Sequence, residues 1–166
     1  MKKITGLLII AVIVVVSVQA HARRSRETVR AMAGTSIPKY ALGVDVSYDP
    51  RFDTLVPGYK ILQVAFVNNS FNMIPMDPKR DRWTVRTSEG KKKYRAIADL
   101  RSKDPRAWNS LPPGAQKKIG YPLLLPVGAR QVIDLFVPSS APLETFTQVD
   151  IDIKSMDGRL EIMARD

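Results

Sequence analysis

The pattern of apolar and polar positions is most strand-like over residues 59–69, Tyr-Lys-Ile-Leu-Gln-Val-Ala-Phe-Val-Asn-Asn. Leu62, Val64 and Phe66 fall on one face; Ile61, Ala65 and Val67 fall on the other, broken only by Gln63. Apolar residues on both faces predict a central strand covered on both sides. Pro57-Gly58 opens it and Asn68-Asn69-Ser70 closes it. Residues 40–49 alternate more simply. Tyr40, Leu42, Val44, Val46 and Tyr48 point one way, and Ala41, Gly43, Asp45, Ser47 and Asp49 the other, which predicts a half-buried strand ended by Asp49-Pro50.

Residues 71–78 read as an irregular crossing, because Pro75 and Pro78 cannot donate to a ladder. Residues 83–87 and 92–98 form a hairpin around Glu89-Gly90, and residues 101–120 a long polar connection with the turn Leu111-Pro112-Pro113-Gly114. The proline-bounded run 121–126 reads as an edge segment closing one end of the core. Residues 131–137 form a strand with Ile133, Leu135 and Val137 inward. Residues 145–156 and 160–164 form a last hairpin around Asp157-Gly158. A two-residue turn there sets Lys154 against Glu161, Ile153 against Ile162 and Asp150 against Arg165, pairing opposite charges on one face. About seven or eight short strands with regular turn signals and no long amphipathic helix predict an all-β sandwich.

The N-terminus has a different pattern. Lys2 and Lys3 precede an uncharged apolar run over residues 4–18, and Ala20-His21-Ala22 supplies small residues for cleavage, with Val18-Gln19-Ala20 a second site. Residues 1–22 are therefore read as a signal peptide, and the product as periplasmic or secreted. An uncleaved anchor is the rival, disfavoured because the run is shorter than the ~20 residues that span a bilayer. Residues 23–38, with Arg23, Arg24, Arg26 and Arg30, are read as a basic flexible leader with at most a helical turn near 27–32. Residues 39–166 are the sandwich domain.

Some of these residues carry a resemblance. The central strand followed by Asn68-Asn69-Ser70, the aromatic strand, Gly turn and Tyr of residues 83–94, the Leu111–Gly114 turn and the ending Leu135-Phe136-Val137-Pro138 resemble bacterial extracytoplasmic immunoglobulin-like domains of unknown function. The resemblance implies an immunoglobulin-like antiparallel β-sandwich, a binding or scaffolding role and no catalytic residues. Such domains often carry a lipid anchor. This chain has no Cys and so lacks the lipobox thiol that such an anchor needs.

Composition narrows the chemistry. With no Cys and a single His, His21, the exported part has no His/Cys metal cluster, no Ser-His-Asp triad and no Cys-His dyad. No phosphate-binding glycine pattern occurs. The chain is read as a non-enzyme without cofactors or metals. Asp45, Asp49 and Asp53 offer a loose Ca²⁺ site, against the simpler reading of an Asx turn at Asp49-Pro50. Asp150 and Asp152 share a strand face, as a solvated face rather than a glycosidase pair. Met73 and Met76, without a histidine, read as packing.

The chain has 26 Lys+Arg against 16 Asp+Glu, net +10; without Lys2 and Lys3 the count is 24 against 16, or +8. Such a charge attracts polyanions, although a merely solvated surface also accounts for it. In the middle hairpin Val85 faces Tyr94 and Trp83 faces Ala96, while Arg86 faces Lys93 and Thr84 faces Arg95. Like charges directly opposite cost up to roughly 1 kcal/mol. An anionic partner on Arg82, Arg86, Lys91, Lys93 and Arg95 relieves that cost; splaying of the side chains into water is the alternative. No aromatic stripe interleaves these residues, which disfavours nucleic acid. The expectation is an envelope-binding module for a polyanion or protein partner, touching membrane only through the signal peptide or an uncleaved anchor. The alternative is a structural subunit joined through an edge strand at residues 121–126.

Overall fold

In the computed structural model, described over residues 26–88 and 92–165, two sheets face each other across one large apolar core. The signal-peptide reading lies outside the described residues. The first sheet is built from β1 (Glu27–Met32), β6 (Arg82–Thr87), β7 (Lys93–Ala96), β10 (Phe146–Asp152) and β11 (Gly158–Met163), in the order β1-β11-β10-β6-β7. The second contains β2 (Thr35–Ile37), β3 (Leu42–Tyr48), β4 (Tyr59–Asn68) and β9 (Arg130–Pro138), in the order β2-β3-β4-β9. β5 (Ile74–Pro75) and β8 (Leu124–Leu125) form a separate two-residue pair. All pairings are antiparallel except β1 with β11. The all-β sandwich read from the sequence is the fold, with nine strands in the two sheets rather than seven or eight.

β4 is the central strand. It pairs with β3 on one side and β9 on the other. Leu62, Val64 and Phe66 enter the core with Val44, Trp83, Val85, Ile151 and Leu160. Burying each such side chain contributes roughly 1.5–3 kcal/mol. The opposite face is covered only at one end. Ile61 joins Val56, Leu100, Ala107, Leu111 and Phe136 in a second, smaller core. That core lies under three short helices: α1 (Leu100–Lys103), α2 (Pro105–Ser110) and α3 (Pro113–Gln116). Asp99 accepts a hydrogen bond from the Ser102 N–H, and Asp104 from the Ala107 N–H, capping the first two. The stretch read as a polar connection is therefore a helical cover.

Two further expectations are corrected. The leader is not a free segment: residues 27–37 form β1 and β2, where a helical turn at most was expected. Val29 and Ala31 pack on the core while Thr28, Arg30 and Met32 face outward. A neighbour ladder on β11 makes this short alternation a strand. The last hairpin also has a different register. Asp150 faces Glu161 and Val149 faces Ile162, where the two-residue turn set Asp150 against Arg165, Lys154 against Glu161 and Ile153 against Ile162. β10 ends at Asp152, and Ile153 and Met156 are buried inside a longer turn. Gly158 is the first residue of β11; a Cβ there would lie 2.4 Å from Tyr40 Oη and 3.0 Å from the Glu27 carbonyl oxygen. Close packing, not a turn, requires this glycine.

Candidate electropositive cleft

The middle hairpin has the register read from the sequence: Trp83 opposite Ala96, Thr84 opposite Arg95, Val85 opposite Tyr94 and Arg86 opposite Lys93. Trp83 and Val85 are buried, and the basic side chains project outward. Lys91 lies outside the described residues. The other four do not act as one face.

Arg86 is engaged from the far side of β6. Its Nε and Nη2 donate to one oxygen of Asp150 on β10, at 3.0 and 2.8 Å. Asp150 stabilises the guanidinium charge and raises its pKa against the opposing cost of burial. The repulsion inferred for Arg86 and Lys93 is thus offset by a third strand, which a two-strand reading omits. Lys93 and Arg95 are exposed and have no ion-pair partner among the described residues.

Arg82 and Arg95 come together elsewhere, at the end of the hairpin away from its tip. With Lys103 of α1 they line a cleft of about 430 Å³. Its wall is formed by Pro78, Trp83 and residues 96–99. Ile97 sets this wall by exchanging backbone hydrogen bonds with Phe136 of β9, at 2.9 and 2.8 Å, so the chain crosses between the sheets here. None of the three cations forms an ion pair among the described residues. Arg82 Nη1 donates to the Lys79 and Asp81 carbonyls, at 2.8 and 3.1 Å.

The two carboxylates in the lining are already occupied. Asp99 caps α1. Asp81 is buried and accepts three hydrogen bonds: from the Asp77 N–H (2.7 Å), the Tyr121 O–H (2.7 Å) and the Lys154 N–H (2.8 Å). Burial and then the Asp81 hydrogen bond push the Tyr121 pKa upward. The Tyr121 ring meets Trp83, in the cleft wall, edge-on at 6.2 Å. The cleft offers guanidinium and ammonium donors suited to phosphate or carboxylate oxygens. The sequence reading missed Lys103. The readable signal was the pair of Asp caps before Leu100 and Pro105, which starts the helices that bring it in.

The other carboxylates stay apart. Asp49 accepts from the Arg51 backbone N–H (3.0 Å) and from its guanidinium, completing the Asx-type cap of the turn Pro50–Phe52. Asp53 accepts from Tyr48 (2.6 Å), and Asp45 from the Val46 N–H (3.0 Å). Asp150 and Asp152 point to one face, tied to Arg86 and Arg26. Among the described residues no cluster of three or more His, Cys, Asp or Glu forms a metal site. Met76 is buried and Met73 exposed.

No protein-family model and no curated protein matches the chain. A search of solved structures finds the 1.5 Å crystal structure of MPT63, a secreted protein from Mycobacterium tuberculosis, with a TM-score of 0.48 and 15% identity. The match covers 84% of this chain and 99% of that one.

Proposed function

We propose that the chain is an exported, non-enzymatic binding module of the cell envelope, immunoglobulin-like in character, that holds an anionic component or an acidic protein partner at the cleft beside β7. The observation that carries this reading is the convergence of Arg82, Arg95 and Lys103 on one cleft whose two carboxylates are engaged internally. Cations without an ion-pair partner among the described residues remain free to attract an incoming anion. The net charge of +10 and the N-terminal apolar run, with its basic start and small-residue cleavage site, support the same reading. Of the hairpin residues read from the sequence, Arg82 and Arg95 remain in the contact. Lys93 lies toward the tip, Lys91 is outside the described residues, and Arg86 serves the sheet.

The test is retention of the protein on anionic envelope extracts at low and high salt. Arg82→Gln, Arg95→Gln and Lys103→Gln together are expected to remove the salt-sensitive part. Retention that is unchanged by the three substitutions contradicts the reading. Assembly through an edge at residues 121–126 has less support, because β8 is only two residues long and already pairs with β5.

A further inference from the structure

Five of the eight large apolar side chains exposed among the described residues are Phe71, Met73, Leu123, Leu124 and Val127, and they share one end of the sandwich. Phe71 is 99% exposed and Leu123 72%. Their backbones are held together rather than loose. Asn68 Nδ2 donates to the Asn72 and Leu125 carbonyls, both at 2.9 Å. Ile74 pairs with Leu125, and the Met76 N–H donates to the Leu123 carbonyl at 2.9 Å. The Gly128 N–H donates to the Asn68 carbonyl at 2.7 Å. The result is an ordered apolar tip on two adjoining loops, a feature that marks an interaction surface.

The chain enters the fold at this same end. Arg26, the first described residue, pairs with Asp152 and donates to the Lys154 carbonyl at 3.3 Å. Ser155, next in that turn, donates its hydroxyl to the Pro75 carbonyl at 2.5 Å. The uncharged apolar run of residues 4–18 is joined to Arg26 by only residues 19–25. Seven residues reach at most about 25 Å. A bilayer that takes up the apolar run therefore lies within that distance of Arg26, at the end of the sandwich that carries the tip. Lys79, Lys154 and Arg130 stand exposed around this end without ion pairs among the described residues, and Arg23 and Arg24 lie in the connection. Apolar side chains beside these cations suit a surface of anionic phospholipid, the carboxylates of Glu27 and Asp157 at this end being paired with Lys39.

We infer that this end of the sandwich docks on the anionic lipid bilayer that holds the N-terminal apolar run, with Phe71, Met73, Leu123 and Leu124 entering the interface. The inference rests on residues 4–18 staying attached as the uncleaved anchor, the rival to the cleaved signal peptide, and not on the identity of the cleft's ligand.

The cysteine-free chain permits a direct test. The full, unprocessed chain is reconstituted into vesicles of equal parts phosphatidylcholine and phosphatidylglycerol. It carries Phe71→Cys, Leu123→Cys or, at the far end, Ser140→Cys, each labelled with an environment-sensitive fluorophore. The tip labels are expected to shift to the blue and to be quenched by brominated lipid several-fold more than the Ser140 label. A chain that floats with the vesicles while all three labels remain equally unquenched overturns docking but leaves the anchor reading of residues 4–18 intact. A chain that does not float overturns both. A blue shift at the tip without lipid quenching, or one already present before vesicles are added, assigns the tip to a second copy or to the chain's own apolar run, and also overturns the inference.

Discussion

Asp150 and Glu161 face each other directly across β10 and β11 on the outer side of the sheet, 8% and 9% exposed, and each is clamped by an arginine from the next strand out. Two opposed carboxylates on adjacent strands repel. Arg86 from β6 and Arg30 from β1 offset that, giving a row Arg30, Glu161, Asp150, Arg86 across four strands. The row replaces the opposite-charge pairs that a two-residue Asp-Gly turn would have made.

The two arginines are not equivalent. The Arg86 side chain is 32% exposed and that of Arg30 76%. Arg86→Gln leaves a nearly buried Asp150 beside Glu161 without its main donor, and is expected to destabilise the fold by about 1–3 kcal/mol. Arg30→Gln removes a solvent-screened pair and is expected to cost less than about 1 kcal/mol. Urea unfolding of both variants checks the order, and an equal or reversed ranking contradicts this account of the row.

Asn68 is fully buried and makes four side-chain hydrogen bonds, two donated to the Asn72 and Leu125 carbonyls and two accepted from the Ser70 N–H and hydroxyl. Asn68→Ala strands backbone carbonyls and leaves a void at the end of β4. The expected loss is at least about 2 kcal/mol. Limited proteolysis should also open new cuts near Phe71, because this side chain fastens both apolar loops. A variant as stable and as protease-resistant as the parent contradicts that role.

Tyr121 is neutral in the fold, and burial followed by its hydrogen bond to Asp81 raises its pKa. A phenol with a raised folded-state pKa contributes stability that is present below its ordinary value of about 10 and is lost as pH rises beyond it. Stability is therefore expected to fall in alkali above about pH 10. Tyr121→Phe should cost about 1–2 kcal/mol at neutral pH through the lost bond to Asp81. It should also flatten part of the alkaline decline, the remainder belonging to Tyr48, Tyr40 and Tyr59, whose pKa values burial and then hydrogen bonds to Asp53, Asp157 and Asp104 likewise raise. Denaturant midpoints followed from neutral to alkaline pH test this, and an unaltered slope in the variant contradicts it.

Much of the sandwich is legible in single strands. The central strand and the middle hairpin follow from alternation alone, because Leu62, Val64, Phe66, Trp83 and Val85 alternate without interruption into one core. What failed depends on contacts distant in sequence. β1 is an edge strand with only Val29 and Ala31 packed inward, so its arginines mask its period until β11 is beside it. Gly158 resembles a turn glycine in sequence, yet its neighbour in space is Tyr40, 118 positions earlier by numbering. The basic hairpin was readable as charge, but not as a site. Arg86 belongs to Asp150, and the cleft needs Lys103 from a helix that sequence reading took for a connection.

The central claim is that a particular cleft, and not net charge, binds the anionic partner. The most direct measurement compares three proteins on an anionic envelope extract across a salt series: the parent, the Arg82→Gln, Arg95→Gln, Lys103→Gln variant, and a charge-matched Lys117→Gln, Lys118→Gln, Arg159→Gln control whose exposed cations lie away from the cleft lining. The account predicts that the cleft variant loses its low-salt retention while the control keeps it. Equal losses in the two variants, or none in either, would contradict it.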